Sequence, residues 1–356
     1  TGEGANHLEH LIQMADSPKS SDWLLELGDA RGKEDWTSKG IAHAVSGFRL
    51  GAEEAAVIGI FGMLLLLVAS VPNAESQSVS GSNLFLFVAA VLPVVFVLRL
   101  LAAREDRQKT TDLFLMLGML LLIWEVILGK LDLLDPFLFP SPERVFDVFR
   151  VDYRIMLVGM ISSFSILLSG YLLGLVAAIP LALFIGWRKR AFDTAYPIAK
   201  AVSPIPPTVY LPYAIVLLPT FSSASVFVLF IGAFWPIFVG TVNGVFNIDQ
   251  RILNSARTLG LKEHVMLSRI VLPAALPSVF SGATIALLMS FVTLTVAEMI
   301  AATSGLGWYI EYQHQYANYD KVIAGMILMA ACVVIVMWFF DRIQKHALRW
   351  QNAGRL

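Results

Sequence analysis

The sequence predicts an all-α, polytopic membrane protein with about eight transmembrane helices. Three observations carry this reading. Of the 356 residues 57% are hydrophobic and 15% charged, with a mean hydropathy of +0.69, whereas a soluble domain carries about 25% charged residues. Apolar runs long enough to cross a bilayer recur along the chain. Lys and Arg gather in alternate connections between those runs, as the positive-inside rule requires.

The runs fall at 52–71, 84–103, 112–128, 157–187, 205–219, 225–245, 277–297 and 321–340. A span needs about 20 mostly apolar residues, so 157–187 must tilt or project from the bilayer. The run 205–219 is short and holds Pro206, Pro207, Pro212 and Pro219. It reads as a broken or tilted span, tolerated where neighbouring helices cover the freed carbonyls. The connection 72–82 has no Lys or Arg and is expected outside. Arg104, Arg107 and Lys109, the triplet Arg188, Lys189 and Arg190, the group Arg251, Arg257, Lys262 and Arg269, and the tail from Arg342 to Arg355 are expected inside. Both termini are then cytoplasmic. The stretch 129–154 falls outside by alternation yet holds Lys130, Arg144, Arg150 and Arg154, against the rule.

Residues 1–50 are polar and mixed in charge. Trp23, Leu24, Leu25 and Leu27, and then Ile41, Val45 and Phe48, suit short interfacial helices on the cytoplasmic face. The chain therefore divides into an interfacial segment 1–50, a two-helix hairpin 51–111 and a core 112–350. A formal net charge of −1 gives no argument for nucleic acid. Cys332 is the single cysteine; it lies in an apolar run and reads as a buried small hydrophobe. The histidines are scattered, with no His-Glu-x-x-His pattern, so no metal or other cofactor is expected.

The most informative stretch is 249–273, basic and polar between two spans. Asp249 is a suitable N-cap for a helix starting at Gln250. Ile252, Leu253, Ala256 and Leu259 fall at helical spacing as an apolar stripe. Gly260 stands where a C′ glycine ends such a helix. A second helix is expected from Lys262 to Ile270, with Pro273 following it. The whole reads as a helix–turn–helix lying flat on the inner face.

Asn254-Ser255-Ala256, Gly260, Ile270 and Leu272-Pro273 fall on the spacing of a known motif: Glu-Ala-Ala, three residues, Gly, nine residues, Ile-x-Leu-Pro. That segment resembles the cytoplasmic loop of the transmembrane subunits of type I ABC importers, with Asn254 and Ser255 in place of the motif's glutamate and first alanine. Leu138-Phe139-Pro140-Ser141-Pro142, Pro204-Ile205-Pro206-Pro207, Ala297-Glu298-Met299 and Ser304-Gly305-Leu306-Gly307 resemble segments of the nitrate, sulfonate, taurine and bicarbonate permeases among them. The resemblance covers about 112–350 and leaves the hairpin as an addition, packed on the core's first helix or holding another subunit. It implies a type I permease fold in a bacterial inner membrane, two ABC ATPase subunits, a second permease copy or a paralogue, and an external substrate-binding protein. It places Asn254, Ser255, Ala256, Leu259, Gly260 and Leu261 against the ATPase. The chain has no Gly-x-x-x-x-Gly-Lys-Ser/Thr pattern, so ATP hydrolysis is expected on a separate chain.

Charge inside a bilayer costs at least ~2.5 kcal/mol, so a placed carboxylate needs a reason. Glu125 reads as an interfacial acid reaching water or a backbone donor. Glu298, with the hydroxyls Ser281, Thr284 and Thr295 on its helix, reads as a gate or lining of a translocation pathway; the competing reading is hydroxyl glue between spans. The substrate expected from the resemblance is a small hydrophilic anion such as nitrate, bicarbonate or a sulfonate. A neutral or cationic vitamin precursor is the alternative within the same role. A secondary transporter fits less well, because no inverted repeat is visible.

Overall fold

A computed structural model describes residues 51–77, 83–102 and 107–350. The expected interfacial turns at 1–50, and Arg104 and Arg355, lie outside the described residues. The described chain is helical, with no strand among its described residues. Among the described residues, seven helices are long and apolar enough to cross a membrane. In order, α1 is Ala52–Ser70, α2 Asn83–Ala102, and α3 Arg107–Trp124, which widens into a π turn at Glu125–Lys130. The short α4 is Pro142–Val151, started by Ser141 as N-cap and Pro142 in the first turn. Next come α5 Tyr153–Trp187, α6 Lys189–Val202, a 3₁₀ turn Pro207–Tyr210 and α7 Leu211–Leu217. The remainder is α8 Phe221–Phe246, α9 Gln250–Thr258, α10 Glu263–Ala301, α11 Leu306–Gln315 and α12 Tyr319–Ala347.

The centre of the core is α8, clasped between α5 and α10. Three small residues of α5 set the first contact. A Cβ added at Gly170 would sit 2.5 Å from the Leu229 Cβ, at Gly174 2.8 Å from that of Ala233, and at Gly186 2.8 Å from that of Val245. The partners climb together along both chains, so α5 and α8 run parallel. Against α10 the order reverses: Gly240 meets Gly282 and Gly244 meets Ser278. Small residues let backbones approach closely, which is how spans associate where lipid offers no hydrophobic gradient.

Parallel packing forces the chain to cross the membrane between α5 and α8, and no long helix does so. The crossing is made in pieces. Phe192 of α6 stacks on Phe246 at the C-terminal end of α8, with centroids 3.9 Å apart. Pro207 then lies against Gly232, halfway along α8. Leu211 and Ala214 pack with Ala224 and Val228 near its start. The expected span 205–219 is therefore only part of a broken crossing that occupies 188–220. At seven residues, or about 10 Å, α7 cannot span the roughly 30 Å of hydrocarbon. The prolines are the cause, since each removes a helical donor and clashes with the turn before it.

A second expectation is corrected at Pro273. The helix does not stop before it; α10 continues through the proline to Ala301, 39 residues in all from Glu263. A π turn at Leu267–Val271, closed by Leu272 N–H donating to Leu267 O, widens the ladder just ahead of the proline. That width relieves the clash a proline ring makes with the carbonyl four residues earlier.

The hairpin packs on the core's first helix. Phe96 of α2 meets Phe114 of α3 at 5.2 Å, and Phe85 meets Phe146 of α4 at 5.3 Å. Its loop is tied by polar bonds. Ala74 N–H donates to Gly129 O at 3.1 Å. Gln77 is fully buried; its amide donates to Phe139 O at 3.2 Å and its Oε1 accepts from Ser141 N–H at 3.0 Å. The Pro-Ser-Pro segment is thus clamped by a loop outside the resembling core.

Candidate functional site

The loop segment folds largely as its sequence indicates. Asp249 Oδ1 accepts from Arg251 N–H at 2.8 Å and opens α9, and Gly260 has φ +63°, in the left-handed region that glycine enters freely. Its apolar stripe, however, divides. Leu253 and Ala256 are buried in a cluster with Val245, Ile248, Met266, Val271 and Ala275. Ile252 and Leu259 are exposed, Leu259 at 72%. Four residues at helical spacing span too wide an arc for one partner. Ala256 accordingly faces this chain's own core, correcting the expectation that it meets another subunit. Asn254, Ser255, Leu259, Gly260 and Leu261 stand on the open surface. Through Leu253 and Ala256, α9 is rooted on the end of α8 and the start of α10.

At the far end of α10, about 58 Å along a helix of 39 residues, lies a second constellation. Glu298 is fully buried. Its Oε1 accepts from Ser163 Oγ at 2.6 Å and its Oε2 from Gly307 N–H at 2.8 Å. The same Ser163 hydroxyl accepts from Leu306 N–H at 2.9 Å. Gly305 has φ +132° and ψ 166°, a region essentially restricted to glycine. One carboxylate therefore joins α5, α10 and the Ser304-Gly305-Leu306-Gly307 turn. In this chain Glu298 faces no open path; it ties the turn down.

The hydroxyls expected beside it are scattered. Ser281 is exposed, while Thr284 and Thr295 are half-buried, each donating to its own helix four residues back, at Phe280 O and Phe291 O. They do not converge with Glu298. Glu125 likewise departs from expectation. It reaches neither water nor a backbone donor but is fully buried in an ion pair with Lys130 at 3.1 Å. The π turn sets residues five apart above one another, which makes the pair. Lys130 also donates to Val71 O at 2.7 Å and Asn73 Oδ1 at 2.6 Å, and the Asn73 amide donates to Glu143. Burial pushes the Glu143 carboxyl above its ordinary range; Glu125's charge adds to this, and Lys130 and Asn73 oppose it.

A third cluster was not singled out from the sequence. Tyr309 donates to Asp152 Oδ2 at 2.8 Å, and Lys321 pairs with the same oxygen at 2.9 Å. Burial, then the bond to Asp152, pushes the Tyr309 phenol up. These residues lie far apart in sequence, and only the meeting of α4, α11 and α12 joins them.

A family model described as "binding-protein-dependent transport system inner membrane component" matches residues 170–349, just over half of the chain. The chain belongs to this family. The matched region runs from the first close contact of α5 on α8 through α9 to the end of α12, so it takes in the α9 loop and the Glu298 turn. Similar proteins include a probable ABC transporter permease of Brucella abortus, 33% identical over 201 residues that cover 55% of this chain and 79% of that protein. A putative aliphatic sulfonates transport permease of Bacillus subtilis is 27% identical over 242 residues, 66% of this chain and 86% of that protein. A nitrate import permease of Leptolyngbya laminosa is 34% identical over 158 residues, 44% of this chain and 57% of that protein. Among solved structures, a chain of the MetNI methionine ABC transporter in an inward-facing conformation is 21% identical, with a TM-score of 0.49, covering 55% of this chain and 97% of that one. As a family member the chain is a multi-pass membrane component of an ABC transport system, a class that works with an ATPase and a substrate-binding protein.

Proposed function

We propose that the chain is the translocating subunit of an ATP-driven importer that takes a small hydrophilic anion from an external binding protein and passes it inward by alternating access. The observation that carries this is the division of α9. Its buried side, Leu253 and Ala256, is seated on α8 and α10, and its open side presents Asn254, Ser255, Leu259, Gly260 and Leu261. A partner gripping the open side moves the ends of two spans as one body. That partner is an ATPase, two per complex, facing two permease copies or this chain and a paralogue. In this reading α9 is cytoplasmic, the Glu298 turn faces outward in a bacterial inner membrane, and both termini are inside. Glu298 acts as a positioning residue for that turn, and Ser281, Thr284 and Thr295 border the pathway between the two permeases. The sulfonate and nitrate permeases among the relatives support an anion as cargo. Permease, ATPase and binding protein purified together and reconstituted in proteoliposomes test the proposal. ATP-dependent uptake of nitrate, bicarbonate or an alkyl sulfonate is the expected result. Uptake solely of a cation or a neutral aromatic compound refutes the anion assignment, and uptake without ATP refutes the whole.

A further inference from the structure

A long groove runs between α12 and the helices α5 and α10. Its volume is about 700 Å³, within the usual range of ligand pockets, roughly 300–1,000 Å³. It extends from Leu276 to Leu287 along α10 and from Phe164 to Ile179 along α5, or about 16 and 22 Å at the rise of an α-helix. The third wall is α12. It closes on the other two through Phe340, whose ring lies 5.9 Å from that of Phe280 and 6.4 Å from that of Tyr171. Ile335, Trp338 and Phe339 line the groove as well, yet they remain 63, 55 and 61% exposed, so this wall is open at one side. None of the lining side chains is charged. The Tyr171 hydroxyl is spent on Ala283 O at 2.9 Å, which leaves the Trp338 indole as the polar group of the lining. A water molecule needs two to four polar partners, so neither water nor a hydrophilic cargo is held there.

The chemistry changes at the end where Ile179, Leu276 and Ile343 lie, which is the end of α10 that carries α9. Arg342 stands beside the groove there, its guanidinium 4.7 Å over the Trp338 ring. Lys345 and Arg349 follow within two turns, both exposed, and Asp341 is the single acid of residues 341–350. Neither Arg342 nor Lys345 has a carboxylate partner among the described residues. From this basic end the groove reaches about 16 Å along α10, half of the roughly 30 Å of hydrocarbon and thus the depth of one leaflet. An occupant that fits is apolar over that length and anionic at the α9 end. We propose that the groove holds an acyl chain of an anionic phospholipid from the leaflet on the α9 side, its headgroup on Arg342 and Lys345. Basic pockets between spans are where anionic headgroups bind. A second copy of the chain fits less well, since a two-fold contact sets Arg342, Lys345 and Arg349 against their own counterparts. The site stands on these residues alone; its assignment to the inner leaflet rests on the cytoplasmic placement of α9 proposed above.

The test uses the full chain in phosphatidylcholine nanodiscs with rising amounts of phosphatidylglycerol brominated along its acyl chains, because bromine quenches a tryptophan that it touches. The difference in emission between wild type and Trp338→Phe isolates the Trp338 signal. That signal is expected to be quenched to a plateau at a low mole fraction of the brominated lipid. Brominated phosphatidylcholine should need a higher fraction for the same effect. Arg342→Gln should lower the preference for phosphatidylglycerol about fivefold, the worth of one cation at the interface, and Arg342→Lys should keep most of it. Arg342 is exposed, so neither substitution disturbs the packing of the core. Quenching that rises only in proportion to the mole fraction marks ordinary boundary lipid and overturns the site. A preference indifferent to Arg342→Gln overturns it too. Phe339→Cys in a Cys332→Ser background tests the second copy: no disulfide-linked dimer is expected in native membranes, and its appearance overturns the lipid as occupant. None of these readouts involves transport, so a failure of the anion reading leaves the lipid site standing, and a failure of the lipid site leaves the anion reading standing.

Discussion

Gly305→Ala adds a single methyl group at the turn that Glu298 secures, and its cost follows from the structure. The backbone there is at φ +132° and ψ 166°, where a non-glycine residue pays about 1–3 kcal/mol. The new Cβ would fall on the Glu298 carboxylate, within 2.6 Å of Oε2 and nearer still to its carbon, closer than side-chain atoms approach. That carboxylate has nowhere to go, because Ser163 Oγ and Gly307 N–H hold it from both sides at 2.6 and 2.8 Å. Moving it strands at least one buried donor, at about 1–3 kcal/mol. The two effects together give roughly 4 kcal/mol, and at about 2–4 °C per kcal/mol a midpoint lowered by roughly 10 °C. The chain carries its own reporter: Cys332, the single cysteine, is 4% exposed and becomes reactive on unfolding. Detergent-solubilised protein heated with a thiol-reactive fluorophore gives the midpoint directly. Glu298→Ala, which leaves the same donors without an acceptor, should also destabilise. If the carboxylate is the obstacle, the double variant should be less damaged than the two single effects added together. A wild-type midpoint for Gly305→Ala, or strict additivity in the double variant, would refute the reasoning.

The remaining predictions concern other parts of the chain. Gly260→Val should leave the thermal midpoint within about 5 °C of wild type, since nothing stands within 4 Å of the added Cβ and the left-handed backbone costs about 1–2 kcal/mol. It should nevertheless uncouple transport from ATP hydrolysis, and normal transport would remove α9 from that role. Ala256→Asp should instead reduce folded yield, because it sets a carboxylate inside the cluster of Leu253, Met266 and Val271; the recovery of monodisperse protein measures this. Glu143 has its carboxyl raised above 4.5 in the folded chain, so its contribution is present in full below that value and lost as pH rises through the raised one. Thermal midpoints taken at rising pH should fall in wild type and fall less in Glu143→Gln; identical slopes would count against a role for this carboxyl. For topology, Glu75→Cys in a Cys332→Ser background should react with an impermeant reagent on intact cells, and Lys189→Cys and Leu259→Cys should not. Gln77 is unsuitable because it is fully buried. Outside labelling at position 259 would invert the proposed orientation.

The sequence by itself determined the class of the protein. Long apolar runs admit few folded solutions, because a backbone in hydrocarbon must satisfy its own hydrogen bonds, and the result is a helix. The α9 cap at Asp249 and its end at Gly260 were equally legible, since capping is decided within a few residues. What neighbours do was not. That α5 and α8 run parallel, and that 188–220 must cross back in pieces, depends on Gly170, Gly174 and Gly186 meeting residues about sixty positions away. The division of the α9 stripe depends on which arc of the helix the ends of α8 and α10 cover. Glu298 and Glu125 look alike in sequence, as single acids in apolar runs. The first became the anchor of a glycine turn and the second half of an ion pair, because the donors that receive them, Ser163 and Gly307 for one and Lys130 on a π turn for the other, are placed by packing. A local pattern fixes local backbone, but the partner of a buried charge is settled only when distant segments meet, since burial leaves it no alternative in water.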